Sequence, residues 1–156
     1  MSDRALAIIA AYAAIRLPRA ATAALLLWLV ITDVHAYPDY IAYFNAFAGS
    51  HPERIATDSN LDWGQDLLRL KDVVRERNIR SIHVAYFGSA DVQWHIPQAQ
   101  TLEPGQVVDG SIAVSEMMFT YGTAKSRAGF AWLNAMTPQQ RVGRSIRLYF
   151  VAAAPK

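Results

Sequence analysis

The densest group of polar side chains in the 156-residue sequence lies in one nine-residue stretch, Asp58-Ser59-Asn60-Leu61-Asp62-Trp63-Gly64-Gln65-Asp66. Asp58, Asn60 and Asp62 have the i, i+2, i+4 spacing of a calcium-binding loop. Such a loop also needs Gly at its sixth position and Glu at its twelfth. Trp63 and Arg69 stand there instead. We therefore predict no metal site.

Two other interpretations of this stretch remain open. Asp62 and Gln65 have the spacing of a capping box, which predicts a turn followed by a helix start. A strand–loop–helix junction also presents helix N–H groups to anions, which favours a ligand or sugar-phosphate site. A second turn, after a predicted strand, adds Ser89 and Asp91 to a possible shared pocket. The candidate ligand-binding residues are thus Asp58, Asn60, Asp62, Gln65, Asp66, Ser89 and Asp91.

Composition excludes several classes of function. The sequence has no Cys, which excludes disulfide frameworks and Cys-based zinc sites. The four His residues have no metal-ligand spacing, and no P-loop, nucleophile elbow or dinucleotide fingerprint is present. The net charge is +2 without a basic cluster, so we predict no nucleic-acid partner. We predict no cofactor and identify no catalytic residue.

Two apolar runs dominate the N-terminal third, Ala5–Ile15 and Ala20–Ile31, with Arg16, Pro18 and Arg19 between them. The second continues to Tyr37. Its 18 residues form about 27 Å of helix, just enough for a hydrocarbon core of ~30 Å. The first run is too short to span, which favours an interfacial or partly inserted helix kinked at Pro18. A single tilted helix through both runs is the alternative.

The charges predict the orientation of this helix. Arg4, Arg16 and Arg19 all precede it, so the N-terminus is expected in the cytoplasm and the remainder in the periplasm. The predicted location is the inner (cytoplasmic) membrane, with one pass. A cleaved signal peptide is the competing interpretation, because Val34-His35-Ala36 resembles a cleavage site. The long basic lead argues against it.

Aromatic residues follow the predicted span. Pro38 to Ala48 is predicted to form a short helix that ends at Gly49 and packs on the domain or lies in the membrane interface. The expected partners are membrane lipid and other membrane subunits, contacted through the N-terminal helix and residues 37–47. The predicted membrane-interface residues are Trp28, Tyr37, Tyr40, Tyr43, Phe44 and Phe47.

The sequence divides into an anchor, residues 1–37, and a domain, residues 38–156. We predict an α/β fold: a small sheet of about four strands with flanking helices, preceded by one transmembrane helix. Strands are expected at Glu53–Thr57, Ile79–Phe87, within Val107–Phe119 and at Ser145–Ala152, where Ile146, Leu148 and Phe150 share one face. A helix is expected at Leu61–Asn78, with an apolar stripe of Leu67, Leu70, Val73 and Val74. A second helix is expected at Ser126–Met136, with Phe130 and Leu133 inward, and a loop at Ser89–Gln106.

Five segments resemble the C-terminal end of bacterial polytopic glycosyltransferases of the dolichyl-phosphate-mannose protein mannosyltransferase type. They are Tyr37–Asn45, Asp58–Leu67, Tyr86–Asp91, Phe130–Leu133 and Val142–Ile146, and the resemblance covers residues 20–152. It implies a last membrane helix followed by an extracytoplasmic domain. Family members use a polyprenyl-phosphate sugar donor. Their catalytic carboxylate lies in an early loop of a bundle of many membrane helices, so no catalytic residue transfers to this sequence.

These observations lead to a non-enzymatic expectation: a membrane-anchored accessory or structural subunit of a larger membrane complex. The sequence begins at Met1 and carries an anchor without catalytic machinery. The alternative is the non-catalytic half of a split polyprenyl-phosphate-dependent glycosyltransferase. A free-standing periplasmic binding domain that takes a saccharide is the third possibility.

Overall fold

The computed structural model describes residues 12, 16–40, 43, 62–120 and 123–152. The chain divides into two compact units, Met1–Tyr40 and Ile41–Lys156. The predicted strand Glu53–Thr57 lies outside the described residues, as do Asp58, Asn60, Phe44 and Phe47.

The first unit contains helix α1, Arg19–Ala36. Leu17 and Pro18 are not helical, so the break predicted at Pro18 is present. Proline suits this position because its missing N–H costs nothing at a helix start. Within the described residues, α1 is the one helix long and apolar enough to cross a membrane. Pro38, Asp39 and Tyr40 are not helical, so the helix predicted to begin at Pro38 does not begin there.

The second unit is an α/β fold, as predicted, but its sheet has five strands among the described residues rather than four. The strands are β1 Ile82–Ala85, β2 Ala99–Thr101, β3 Gly110–Ser115, β4 Gln140–Val142 and β5 Ile146–Val151. Their order is β2-β1-β3-β5-β4, with β1 parallel to both β2 and β3, and β5 antiparallel to both β3 and β4.

Helix α2, Leu67–Glu76, packs on one face of this sheet. Leu67, Leu70 and Val74 are buried, which confirms the predicted apolar stripe. The helix starts later than the predicted Leu61, because residues 62–66 form turns. It ends before Asn78, whose φ of 53° is left-handed and allows the Ile79 N–H to bond the Val74 carbonyl at 3.0 Å.

The other face is covered by segments from α4, Glu116–Thr120, through α5, Ala124–Ala128, to a 3₁₀ helix, Ala131–Ala135. Phe130 and Leu133 are fully buried there, as predicted. The single helix predicted at Ser126–Met136 is broken at Gly129. A Cβ at that position would lie 2.5 Å from the Gly105 nitrogen, and the Gly129 carbonyl accepts the Gly105 N–H at 3.1 Å. The Gly129 carbonyl therefore bonds to the loop at Gly105 and not to a later residue of a continuous helix.

Two further expectations are corrected. The predicted loop Ser89–Gln106 contains a short helix, α3 (Val92–His95), as well as β2. In β5, Ile146 and Leu148 belong to the core under α2, and Tyr149 and Val151 to the core on the opposite face. Phe150, predicted to share one face of the strand with Ile146 and Leu148, is 57% exposed and does not belong to their core. It is the last but one residue of the strand.

Candidate functional site

The turn before α2 is held by its own side chains. The Asp62 Oδ1 atom accepts the Gly64 N–H at 2.9 Å, and the Gln65 Oε1 atom accepts the Trp63 N–H at 2.8 Å. Asp62 and Gln65 thus stabilise the turn and do not form the predicted capping box at the helix start. The difference follows from the later start of α2 at Leu67, which leaves Asp62 outside the first helical turn.

Asp66 joins α2 to the turn between β4 and β5. Its Oδ2 atom accepts the N–H groups of Arg144 and Ser145, each at 2.9 Å, and the Ser145 hydroxyl at 2.8 Å. Its Oδ1 atom lies 2.7 Å from Arg69 Nη1. Gly143 permits this approach, because a Cβ there would lie 1.9 Å from Oδ1. This carboxylate is 1% exposed and fully engaged in structural contacts.

Asp62 has fewer hydrogen-bond partners than Asp66. Its side chain is fully buried, and its Oδ2 atom has no hydrogen-bond partner. Burial raises the pKa of this carboxyl, and the Gly64 N–H opposes the rise. The hydroxyls of Ser115 and Ser145 are near enough to oppose it too, although neither has hydrogen-bond geometry to Oδ2. An ionised carboxylate is costly to keep here.

Tyr86 connects this turn to the end of β1. Its hydroxyl donates to the Gly64 carbonyl at 3.1 Å. Gly64 has φ +81°, and a Cβ there would lie 1.8 Å from the same hydroxyl, so the contact requires glycine. Burial raises the pKa of Tyr86, with a further contribution from the charge of Asp62. The tyrosine is therefore neutral at physiological pH.

A cleft of about 540 Å³ lies beside this contact, at the carboxyl end of β1. It combines aromatic, methionine and hydroxyl side chains, from Trp63, Tyr86, Phe87, Gly88, Ser89, Met117, Met118 and Ser126. None of these lining residues carries a formal charge. The volume falls within the range of about 300–1,000 Å³ that ligand sites occupy.

The cleft contains few of the residues proposed from the sequence. Ser89 lines it, whereas Asp62, Gln65 and Asp66 lie in the adjoining turn. Asp91, predicted to share a pocket with Ser89, instead caps α3 by accepting the Gln93 N–H at 2.9 Å and the Trp94 N–H at 3.1 Å. Sequence reasoning missed Trp63, Tyr86 and the two methionines as lining residues. The sequence shows Trp63 next to Gly64, but it does not show whether this tryptophan is exposed at a cleft or packed in the core.

A second charged cluster was also missed. Glu116 is 2% exposed and accepts Arg147 through both carboxylate oxygens, at 2.7 and 2.6 Å, and Arg141 at 2.7 Å. The Arg147 guanidinium stacks 4.5 Å from the Phe119 ring centroid. Burial alone would lower the pKa of Arg147, but Glu116 outweighs it and raises the pKa overall. This cluster fastens α4 to β4 and β5.

The predicted interface residues are distributed as follows. Trp28 is the tenth of 18 residues in α1 and is 51% exposed. Tyr37 and Tyr40 follow the helix, exposed and in edge-to-face contact with ring centroids 6.2 Å apart. Tyr43 is half-buried. Within the described residues, no group of three His, Cys, Asp or Glu side chains is placed to hold a metal.

No protein family, curated protein or solved structure matches this chain. The fold and the side-chain geometry therefore carry the functional argument.

Proposed function

We propose that this protein is a membrane-anchored, non-catalytic accessory or structural subunit of a larger membrane assembly. In this proposal α1 crosses the inner membrane once, with the N-terminus in the cytoplasm and the α/β unit in the periplasm. The observation that carries the proposal is the uncovered apolar surface of α1.

That surface surrounds the helix. The seven consecutive residues Leu25–Ile31 are each at least 50% exposed. Successive residues of an α-helix are rotated by about 100°, so seven of them point in every direction around the axis. An interfacial helix instead concentrates its apolar residues on one face. Lipid or partner helices that cover this surface would contribute roughly 10–20 kcal/mol, at about 1.5–3 kcal/mol for each large side chain.

The distribution of basic residues supports the orientation. Arg4, Arg16 and Arg19 precede or begin the helix, and the next Lys or Arg in the sequence is Arg54. Basic residues near the ends of a span are retained on the cytoplasmic side. The α/β unit therefore belongs on the periplasmic side.

Two of the three buried acids of the described residues support a non-catalytic role, and the third, Asp62, lies in the turn beside the cleft and is not among its described lining residues. Asp66 and Glu116 are saturated by hydrogen bonds and ion pairs that join helices to strands. The titratable side chain among the described cleft residues is Tyr86, whose pKa is raised away from neutrality. General acid–base catalysis favours a group that titrates near the working pH. The cleft is better suited to binding than to proton transfer.

The first experiment is extraction of membranes at alkaline pH, together with the N-terminal sequence of the mature chain. We expect the chain to stay in the membrane pellet and to retain Arg19–Ala36. Reporter fusions at the C-terminus should be active in the periplasm. A mature chain that begins after Ala36 would identify α1 as a signal sequence, since signal sequences share its length and composition. Recovery in the soluble fraction would equally refute the anchor.

The alternative is the non-catalytic half of a split polyprenyl-phosphate-dependent glycosyltransferase. The resemblance of Asp58–Leu67 and Tyr86–Asp91 to such enzymes favours it, because Trp63 of the first segment and residues 86–89 of the second line the cleft. Purification in mild detergent separates the two proposals. A multi-helix transferase that co-purifies in a fixed ratio would support the alternative, and an unrelated assembly would refute it.

A further inference from the structure

We propose that Asp62 is a pH-sensitive switch for the turn that carries Trp63. While the carboxyl group keeps its proton, it stays buried and the turn is held at the end of β1. When the group ionises, the turn is released and Trp63 moves, which changes the shape of the cleft that this side chain lines. The switch belongs to the α/β unit and does not depend on the membrane anchor.

The hydrogen bonds of Gly64 connect the buried carboxyl to the cleft. The Gly64 N–H donates to Asp62 Oδ1 at 2.9 Å, and the Gly64 carbonyl accepts the Tyr86 hydroxyl at 3.1 Å. Trp63 is the residue between Asp62 and Gly64, and Trp63 and Tyr86 both line the cleft. A displacement of the Asp62 carboxyl therefore displaces the backbone that positions Trp63.

The hydroxyl groups beside Asp62 favour its protonated form. Ser145 lies near the carboxyl and donates its one hydrogen to Asp66 Oδ2 at 2.8 Å, so it offers lone pairs to Asp62. A protonated carboxyl can turn its hydrogen toward these lone pairs, whereas an ionised one gains no hydrogen from them. The hydroxyl of Ser115 accepts the Phe87 N–H at 3.1 Å and has no hydrogen-bond geometry to Asp62 Oδ2.

The charges around Asp62 also favour the neutral form. On the described segments that meet at Asp62, the charged and titratable groups are Asp66 and Arg69 at the start of α2, Tyr86 after β1, Glu116 on α4 and Arg144 in the β4–β5 turn. Burial raises the pKa of Asp62, and the charge of Asp66 adds to the rise. Arg69 lies 2.7 Å from Asp66, and Glu116 is occupied by its two arginines.

Ionisation has one favourable outcome for this side chain, which is movement toward water. The carboxyl is fully buried, and a charge without hydration or a counter-ion is costly to keep there. The next residue, Trp63, is 61% exposed, so solvent lies one residue away along the turn. An outward movement of Asp62 breaks its bond to the Gly64 N–H, which closes the turn. The contact between Gly64 and Tyr86 then holds the turn without this support.

The test is a titration of the full chain in detergent from about pH 4 to pH 8, below the range in which tyrosine ionises. Fluorotryptophan replaces the four tryptophans, and the Trp63 resonance is assigned by its loss in Trp63→Phe. Because the sequence has no cysteine, Ala90→Cys at the exposed position after Ser89 carries one nitroxide label. Broadening of the Trp63 resonance by this label reports the distance between them. We expect the resonance to shift and its broadening to change in one transition, with a midpoint above the ~3.9 of an unfolded Asp side chain.

Two variants assign the transition to Asp62. Asp62→Asn retains an acceptor for the Gly64 N–H and should abolish the transition. Asp91→Asn is the matched control, because Asp91 is an exposed acid next to the label and caps α3, where Asn caps equally well. It should leave the transition in place. The internal reference is Trp132, which packs against the core on the opposite face of the sheet and should not follow the transition. Trp94 is unsuitable because it stacks on His95, with ring centroids 4.7 Å apart.

Four results would overturn the switch: no transition at Trp63, a shift of its resonance without a change in broadening, a transition that persists in Asp62→Asn, or one that disappears in Asp91→Asn. The first two come from the unsubstituted Asp62 chain, so the test does not depend on the folding of either variant. Release of the chain from membranes at alkaline pH would refute the anchor and leave the switch intact.

Discussion

Replacement of Asp62 by Asn should stabilise the protein at neutral pH, although it alters a fully buried polar residue. The Asn Oδ1 atom can still accept the Gly64 N–H, which Asp62 accepts at 2.9 Å. The new amide group replaces Oδ2, the atom without a partner, and can donate toward the oxygens of Ser115 and Ser145. The substitution thus removes a buried charge and retains the turn.

The pH dependence follows from the direction of the Asp62 pKa. Burial raises that pKa in the folded state, so the folded protein holds the proton to a higher pH than the unfolded chain, whose Asp side chains titrate near ~3.9. The contribution of Asp62 to stability is complete below the unfolded pKa and is lost as the pH rises through the folded pKa. Each unit of pKa elevation costs about 1.4 kcal/mol above that range.

The expected gain of Asp62→Asn at pH 7.5 is about 1–3 kcal/mol, the usual penalty of one unsatisfied buried polar group. At pH 3.5 the gain should be close to zero, because wild-type Asp62 is then mostly protonated in both states. Chemical unfolding of the full chain at the two pH values, followed by circular dichroism, measures the difference.

Asp66→Asn is the matched control. Asp66 accepts three hydrogen bonds and pairs with Arg69, so its neutralisation should cost about 2–4 kcal/mol at pH 7.5. If Asp62→Asn destabilises the protein at pH 7.5, or if its gain is the same at pH 3.5, the argument from the buried charge is wrong.

Three further predictions concern the packing, each tested by urea unfolding of the full chain. Glu116→Gln should cost about 3–5 kcal/mol, because two partly buried arginines lose their carboxylate; a cost below 1 kcal/mol would contradict the cluster. Gly143→Ala should cost at least about 2 kcal/mol, since its Cβ would meet Asp66, whereas Gly105→Ala, also at positive φ but in open space, should cost about 1 kcal/mol. Leu148→Ala should cost about 2–5 kcal/mol and Phe150→Ala under about 1 kcal/mol; equal costs would contradict the difference in burial between these two residues of β5.

The local pattern of apolar residues in the sequence was sufficient to predict α1, α2 and β5. The apolar run after Pro18 predicted α1 to within one residue at each end, because composition and length alone define such a helix. The period of α2 predicted its buried stripe, and alternation predicted β5. Phe130 and Leu133 were predicted to be inward from the apolar pattern of a helix that the structure breaks at Gly129, and both are in the core. In each case the determining residues lie within one continuous segment of at most 18 residues.

The tertiary structure decided everything that depends on distant residues. Asp66 bonds to Ser145, which lies 79 positions later in the sequence, and Glu116 pairs with Arg147, which lies 31 positions later. The neighbouring residues in the sequence therefore do not reveal that either carboxylate is structural. Strand β2 has three residues, two of them exposed polar ones, and it exists because β1 offers an edge. The cleft forms where the Trp63 turn, the end of β1 and α4 converge. Such a surface depends on which distant segments pack together, and the local periodicity of the sequence does not show this.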